Sequence, residues 1–273
     1  MGTKTMSKRI GWAGAILVLL LPVVDPSRAA DANGVIWNAE NKAFDGAIRW
    51  KGLVKVYTVT KNNIEYEIPL KDVAQMRIAE PAGFKAAVEF VRTGKGAQAI
   101  PVLEQVAQDY TMLQWDVSAT RWLAEAYLRD SKPDKAVMVC ERVVERKPDA
   151  ATVGELALVY WQALLAANRN TKLDDTLTAA AQSPNPEVLA RVFLMRGDLL
   201  RKQNDVAGSL REGYLRTVVL CPTVRAPRAE ALYKASKGLD ELGLVGPAGN
   251  LRTILLREYA DSEWAQRIRA GDR

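Results

Sequence analysis

The sequence predicts a mainly α chain: about five helix–turn–helix units packed side by side into an α-solenoid, behind a small N-terminal all-β domain. Three observations predict it. Residues 123–148, LAEAYLRDSKPDKAVMVCERVVERKP, read as two short amphipathic helices around a tight turn. The same apolar spacing recurs through the rest of the chain. Residues 34–80 differ in kind, with β-branched and aromatic residues in short runs between turn signals.

Residues 1–32 read as an export signal. Lys4, Lys8 and Arg9 form a basic start, residues 10–24 are apolar and uncharged, and Ser27, Ala29, Ala30 and Ala32 suit cleavage after Ala29 or Ala32. The apolar run is short of the ~20 residues a spanning helix needs. The chain is therefore expected in the periplasm or elsewhere in the cell envelope, meeting a membrane only through an uncleaved signal or a partner. Residues 1–29 carry Lys4, Lys8, Arg9 and Arg28 against Asp25, so the net charge of +6 falls to +3 once they are removed. So mild a charge implies no nucleic-acid partner.

The β domain is expected over 33–80. Its strand candidates lie at 34–37, 47–50, 55–60, 64–68 and 74–78. Asp45-Gly46, Lys51-Gly52 and Lys61-Asn62-Asn63 are expected as turns. Alternation puts Tyr57 and Val59 on one face of their strand, and Ile64, Tyr66 and Ile68 together on the next. This is a meander of about five short strands, expected to curl into a small barrel loosely similar to SH3-like and Sm-like barrels. Trp37, Trp50, Tyr57 and Tyr66 are expected chiefly as its core, because so small a domain needs large side chains to close. The alternative is that they dock a partner.

Pro81 marks the boundary, and residues 81–268 are expected to be helical hairpins. Ala87, Phe90, Ala99, Leu103 and Val106 in the first hairpin stand at the same mutual offsets as Ala124, Tyr127, Ala136, Cys140 and Val143 in the second. Gly94-Lys95-Gly96 and the Asp130–Asp134 segment are the turns. In the third, Leu156, Ala157 and Tyr160 repeat Leu123, Ala124 and Tyr127 at 33 residues. Its second helix then starts about four residues late, so residues 168–171 are expected as a lengthened turn. The fourth has Gly197 and Leu200, then Ser209 and Tyr214, with one residue inserted near Gly213. The fifth has Ser236 and Leu239, then Ala248, Leu251 and Leu255. This pattern resembles the tetratricopeptide repeat of bacterial envelope proteins, a unit of ~34 residues in which neither helix buries its apolar face alone. The ending Tyr259-Ala-Asp-Ser262 is similar to the tyrosine-proline-aspartate-serine closing of such units, with Ala260 where proline is usual.

Catalytic chemistry finds little to stand on. The chain has no histidine, which removes Ser-His-Asp and Cys-His catalysis and histidine metal ligands. No metal or cofactor is expected. Stacked hairpins hold Cys140 and Cys221 in different repeats, so two unpaired, buried thiols are expected. Gly94-Lys-Gly96 is too short for a phosphate loop. Asp174 and Asp175 diverge by about 100° on a helix, and Asp174 suits the helix N-terminus. A carboxylate-based hydrolase needs only two acids and stays a remote alternative.

The resemblance to tetratricopeptide proteins implies that the first helix of each pair lines an inner, concave groove. On that pattern the groove receives Arg121 and Arg129, then Leu158 and Trp161, then Arg191, Arg201 and Lys202, then Tyr233 and Lys237. Glu125, Asp198, Glu230, Asp240 and Glu241 lie nearby. Arginine and large aromatics concentrate binding energy at interfaces. The expected function is a non-enzymatic scaffold that holds a protein or peptide partner, acidic by complementarity, in the envelope. The alternative is a structural subunit of a larger envelope assembly, bound through its edges and ends.

Overall fold

The computed structural model describes residues 32–272 of the 273-residue chain. Except for Ala32, the expected export signal lies outside the described residues. Strands β1 (Ala32–Asn38), β2 (Ala43–Lys51), β3 (Val56–Lys61), β4 (Ile64–Pro69) and β5 (Val73–Ile78) form one antiparallel sheet in the order β4-β3-β2-β1-β5. A 3-10 turn, Leu70–Asp72, carries the chain from β4 to β5. The Asn62-Asn63 turn has both residues at positive φ (50° and 63°), the geometry that matches the twist of a two-residue hairpin.

Asp45-Gly46 is not a turn, contrary to the expectation from its sequence. Both residues lie within β2, where Gly46 pairs with Gly34. A Cβ on Gly46 would stand 2.3 Å from the Thr60 carbonyl oxygen. The dipeptide serves a close strand approach, not a reversal. The core holds Ile36, Ile48, Tyr57, Val59 and Ile68, with Trp50 packed at a tilt on Tyr57 at 4.7 Å between ring centres. Ile64 and Tyr66 are exposed, unlike Ile68, because edge strand β4 outruns the core at that end.

The helical part runs α1 (Phe84–Arg92), α2 (Gly96–Asp109), α3 (Asp116–Arg129), α4 (Pro133–Val144), α5 (Glu155–Ala166), α6 (Asn170–Ala180) and α7 (Pro186–Lys202). Helix α8 spans residues 206–220 and contains a π-helical segment, Ser209–Tyr214. Then come α9 (Arg225–Glu241), α10 (Val245–Glu258) and a closing α11 (Glu263–Arg269). Odd-numbered helices from α1 to α9 each pair with the next, giving five hairpins in a tetratricopeptide-like solenoid.

Each hairpin turns over three residues, and the middle one is left-handed: Gly94, Ser131, Asn168, Asn204 and Gly243, with φ between 55° and 80°. In all five the next backbone N–H returns to the carbonyl five residues back, as in Lys132 to Tyr127 (2.8 Å) and Arg169 to Leu164 (2.9 Å). These are Schellman caps, which satisfy carbonyls left open at the helix end. The five left-handed residues are 37, 37, 36 and 39 apart. Five positions after each comes Ala99, Ala136, Leu173, Ser209 or Ala248, all fully buried.

This frame corrects the third unit. Its turn is no longer than the others, and Leu156, Ala157 and Tyr160 sit one helical turn too early to match Leu123, Ala124 and Tyr127. Residues four apart share a helix face, so apolar spacing alone is ambiguous by one turn. The equivalents of Ala124 and Tyr127 are Trp161 and Leu164. The insertion expected near Gly213 is present as the π-helical segment, which adds one residue to a turn without leaving the helix. Phe90 is half-exposed where Tyr127 is buried, because α1 is the first helix of the stack. Helix α10 stops at Glu258 although Ala260 replaces proline, and the Ser262 hydroxyl caps α11 by accepting from Ala265 N (3.2 Å).

Cys140 and Cys221 are both unpaired and buried. Burial pushes the Cys140 thiol up to about 12 and also raises Cys221. The thiolate is the reactive form. Native protein at pH 8 should therefore resist a thiol reagent that titrates two groups after denaturation without reductant. A count of zero after denaturation would reveal a disulfide and contradict the packing.

Candidate functional site

The first helices of successive hairpins line one face of the solenoid, and three adjoining hollows run along it. The first, about 460 Å³, lies between α3 and α5 and is bounded by Arg121, Glu125, Arg129, Leu158 and Gln162. The second, about 480 Å³, lies between α5, α7 and α9 and shares Leu158 and Gln162 with it. Its apolar lining is Leu158, Trp161, Leu165, Leu194 and Met195, and its charged lining includes Arg191, Asp198, Lys202, Glu230 and Lys234. A third hollow of about 260 Å³ connects through Leu158, Trp161 and Arg191 to the loop before α5.

Trp161 makes the middle hollow different from its neighbours. Its position is occupied by Ala87, Ala124, Gly197 and Ser236 in the other four hairpins. The indole is 1% exposed, and its Nε1–H donates to the Ala151 carbonyl at 2.8 Å, under the 3-10 turn Pro148–Ala151. Trp161 is thus a floor of the hollow, packed between units. Tyr233 is buried as well: its hydroxyl donates to Asp272 at 2.5 Å and its ring packs on Trp264. Lys237 pairs with the same Asp272, whose carboxyl the bond holds below the ordinary range.

The expected basic field is largely neutralised in place. Arg121 reaches Glu155 at 3.3 Å and Glu125 at 3.8 Å, and stacks on Trp122 with 3.8 Å to the ring centre. Arg129 pairs with Glu125 (2.8 Å), Arg191 with Glu187 (3.1 Å) and Arg201 with Glu241. Lys202 donates to the Leu165 carbonyl near the C-terminus of α5, where cations are favoured. Thus Arg121, Arg129 and Leu158 meet in one hollow and Leu158, Trp161, Arg191 and Lys202 in the next. Arg201, Tyr233 and Lys237 are engaged elsewhere.

The sequence reading missed Lys234. It pairs with Asp198 (2.8 Å) and Glu230 (2.6 Å), and Asp198 also accepts from the Tyr214 hydroxyl (2.8 Å). Burial pulls the Lys234 ammonium down, but its two carboxylates outweigh that and leave it raised. Burial, then Asp198, pushes Tyr214 up. The i,i+4 spacing of Glu230 and Lys234 was a legible signal of half this cluster. Among the described residues, no three Cys, Asp or Glu side chains converge as metal ligands would, and no helix is long and apolar enough to cross a membrane.

No family model matches the chain, and no curated protein matches it. Among solved structures, the chain is similar to MamA AMB-1 at 16% identity and a TM-score of 0.44, over 67% of this chain and 100% of that one. A second MamA AMB-1 crystal form gives 18% and 0.40, over 63% and 94%. MamA MSR-1 gives 16% and 0.41, over 61% and 92%. Likeness at this level carries no information about partner or activity.

Proposed function

We propose that the chain is an exported, non-enzymatic interaction protein that holds a protein or peptide partner of the cell envelope against the first-helix face. The observation that carries the reading is the chain of adjoining hollows from α3 to α9, apolar at Leu158, Trp161, Leu194 and Met195 and edged by ion pairs. Such a surface takes apolar side chains into its floor and exchanges rim partners at little net electrostatic cost. An acidic segment would compete with Glu155 for Arg121 and with Glu187 for Arg191. The basic start and apolar run of residues 1–24 support export.

The test is capture from envelope extract by wild type, Leu158→Asp and Arg191→Ala, with matched thermal melts. Leu158→Asp should lower recovery of the captured species at least tenfold while the melt stays near wild type. Unaltered recovery would remove this face from consideration.

A second reading, a structural subunit bound by its ends, has one observation in its favour. The fifth turn exposes Leu242, Leu244 and Val245, where the other four turns are mostly polar. Capture that survives high salt but is lost in Leu244→Asp would favour that reading, since charged contacts weaken as salt screens them.

A further inference from the structure

A larger hollow, about 520 Å³, lies away from the first-helix face, where α3 floors the space between α2 and α4. Leu123 and Val143 lie at the bottom almost fully covered, Ala107 and Met138 add accessible apolar surface at the sides, and Tyr127 contributes one hydroxyl. The two sides differ in charge. Glu104 stands on the α2 side, while Arg142 and Arg146 stand one turn apart on the α4 side. Each of these charges meets a different fate. Glu104 accepts from the Tyr127 hydroxyl, which burial and then this bond push up to about 12, so the hydroxyl keeps its proton at neutral pH. Arg146 is drawn toward Asp116 at 3.8 Å. Arg142 meets the Met138 sulfur at 3.9 Å, and its charge also acts on the Tyr127 hydroxyl. Among the described residues no carboxylate lies within ion-pair distance of it, although Arg121, Arg129, Arg191 and Arg201 all have one.

We propose that this hollow binds a small amphipathic carboxylate, its anionic head on Arg142 and its apolar body between Ala107 and Met138, above Leu123 and Val143. The volume falls in the range of small-molecule pockets, roughly 300–1,000 Å³, and the mixture of apolar lining with a few convergent polar groups is typical of them. A guanidinium matches a carboxylate with two parallel hydrogen bonds. Among the described residues one acid lines the hollow, Glu104 on the α2 side, against two guanidiniums, Arg142 and Arg146, on the α4 side, so the lining favours an anion at the α4 wall. The apolar lining favours a chain or ring over a bare anion such as acetate.

Decanoate is the probe, with 1-decanol as its uncharged counterpart, titrated calorimetrically into the full-length chain. Two variants block the site from its exposed side without entering the core: Arg142→Ala removes the cation, and Met138→Trp fills the opening. Leu158→Asp, on the opposite face, is the control. Wild type and Leu158→Asp should bind one decanoate saturably, and both site variants should bind at least tenfold more weakly. Decanol should also bind at least tenfold more weakly than decanoate. Absence of saturable binding, equal binding by the site variants, or equal binding of decanol would overturn the proposal. None of these outcomes bears on partner capture by the first-helix face.

Discussion

Gly213→Ala should destabilise the protein by about 2–3 kcal/mol, the upper part of the range for overpacking. Helices α7 and α8 cross at a pair of glycines. A Cβ on Gly213 would lie 2.3 Å from the Gly197 Cα and 2.5 Å from its nitrogen. Those are backbone atoms, so no side chain can swing aside and the helices must separate. Helix propensity acts the other way, since alanine is favoured over glycine by about 1 kcal/mol in a helix interior. The sign of the change therefore decides between the two effects. At this chain length a loss of about 2–3 kcal/mol should lower Tm by about 4–12 °C. An unchanged or raised Tm would mean the helices do not meet so closely. Gly197→Ala should also destabilise, because its Cβ would come 2.5 Å from the buried Tyr214 ring, whose hydroxyl is fixed on Asp198. The double variant should lose less than the sum, since one separation relieves both clashes. The crossing also positions Leu194, Met195 and Asp198 on α7, so Gly213→Ala should weaken partner capture.

The irregularity at this glycine was legible in the sequence. A one-residue slip in the fourth unit pointed to an insertion near Gly213, because the neighbouring hairpins supplied a register to compare it with. The third unit misled for a physical reason. Tyr160 occupies the same helix face as Leu164, and only the left-handed Asn168 fixes which of them is the Tyr127 equivalent. Asp45-Gly46 misled because the backbone freedom that permits a turn also permits Gly46 to approach Thr60. The placement of several of the named residues on one face was legible. Leu158, Arg121, Arg191 and Lys202 do line the first-helix face, because the repeat dictates which helix points there. Its charge was not legible. Arg121 finds Glu155 in the next unit and Arg201 finds Glu241 across a similar gap, and such pairs depend on stacking that a single sequence does not display. Trp161 stands at a position buried in all five hairpins, so its burial follows from the repeat; the Ala151 carbonyl that takes its indole N–H is what no periodicity encodes.

Asp116→Ala should cost about 2–4 kcal/mol and also loosen the β domain from the solenoid. Asp116 is fully buried in the first turn of α3. Its carboxylate accepts from Met112 N (2.9 Å) and Val117 N (2.7 Å), and Lys147 lies 3.2 Å away. Hydrogen bonds to a charged group contribute about 1.5–3 kcal/mol each, and losing this one leaves the Met112 N–H unpaired. Met112 is a non-glycine residue at φ 63°, a conformation that persists only when its surroundings enforce it. The Met112 carbonyl accepts from the Tyr57 hydroxyl at 2.8 Å, and Leu113 completes the β-domain core. Two further bonds tie the same loop to the sheet: Trp115 Nε1–H donates to the Ile78 carbonyl (3.1 Å), and the Gln114 side chain accepts from Ile78 N (2.9 Å). One buried carboxylate thus holds the loop through which the β domain is docked. Asp116→Asn keeps the shape and one acceptor but loses the charge, so it should fall between wild type and Asp116→Ala. Limited proteolysis should cut Asp116→Ala within residues 110–115 while wild type stays intact, and amide exchange at Met112 should quicken. Tyr57→Phe should cost less in the Asp116→Ala background than in wild type, because the loop is already released. A stability change under about 0.5 kcal/mol with the loop still protected would mean that Lys147, Trp115 and Gln114 hold the junction without Asp116.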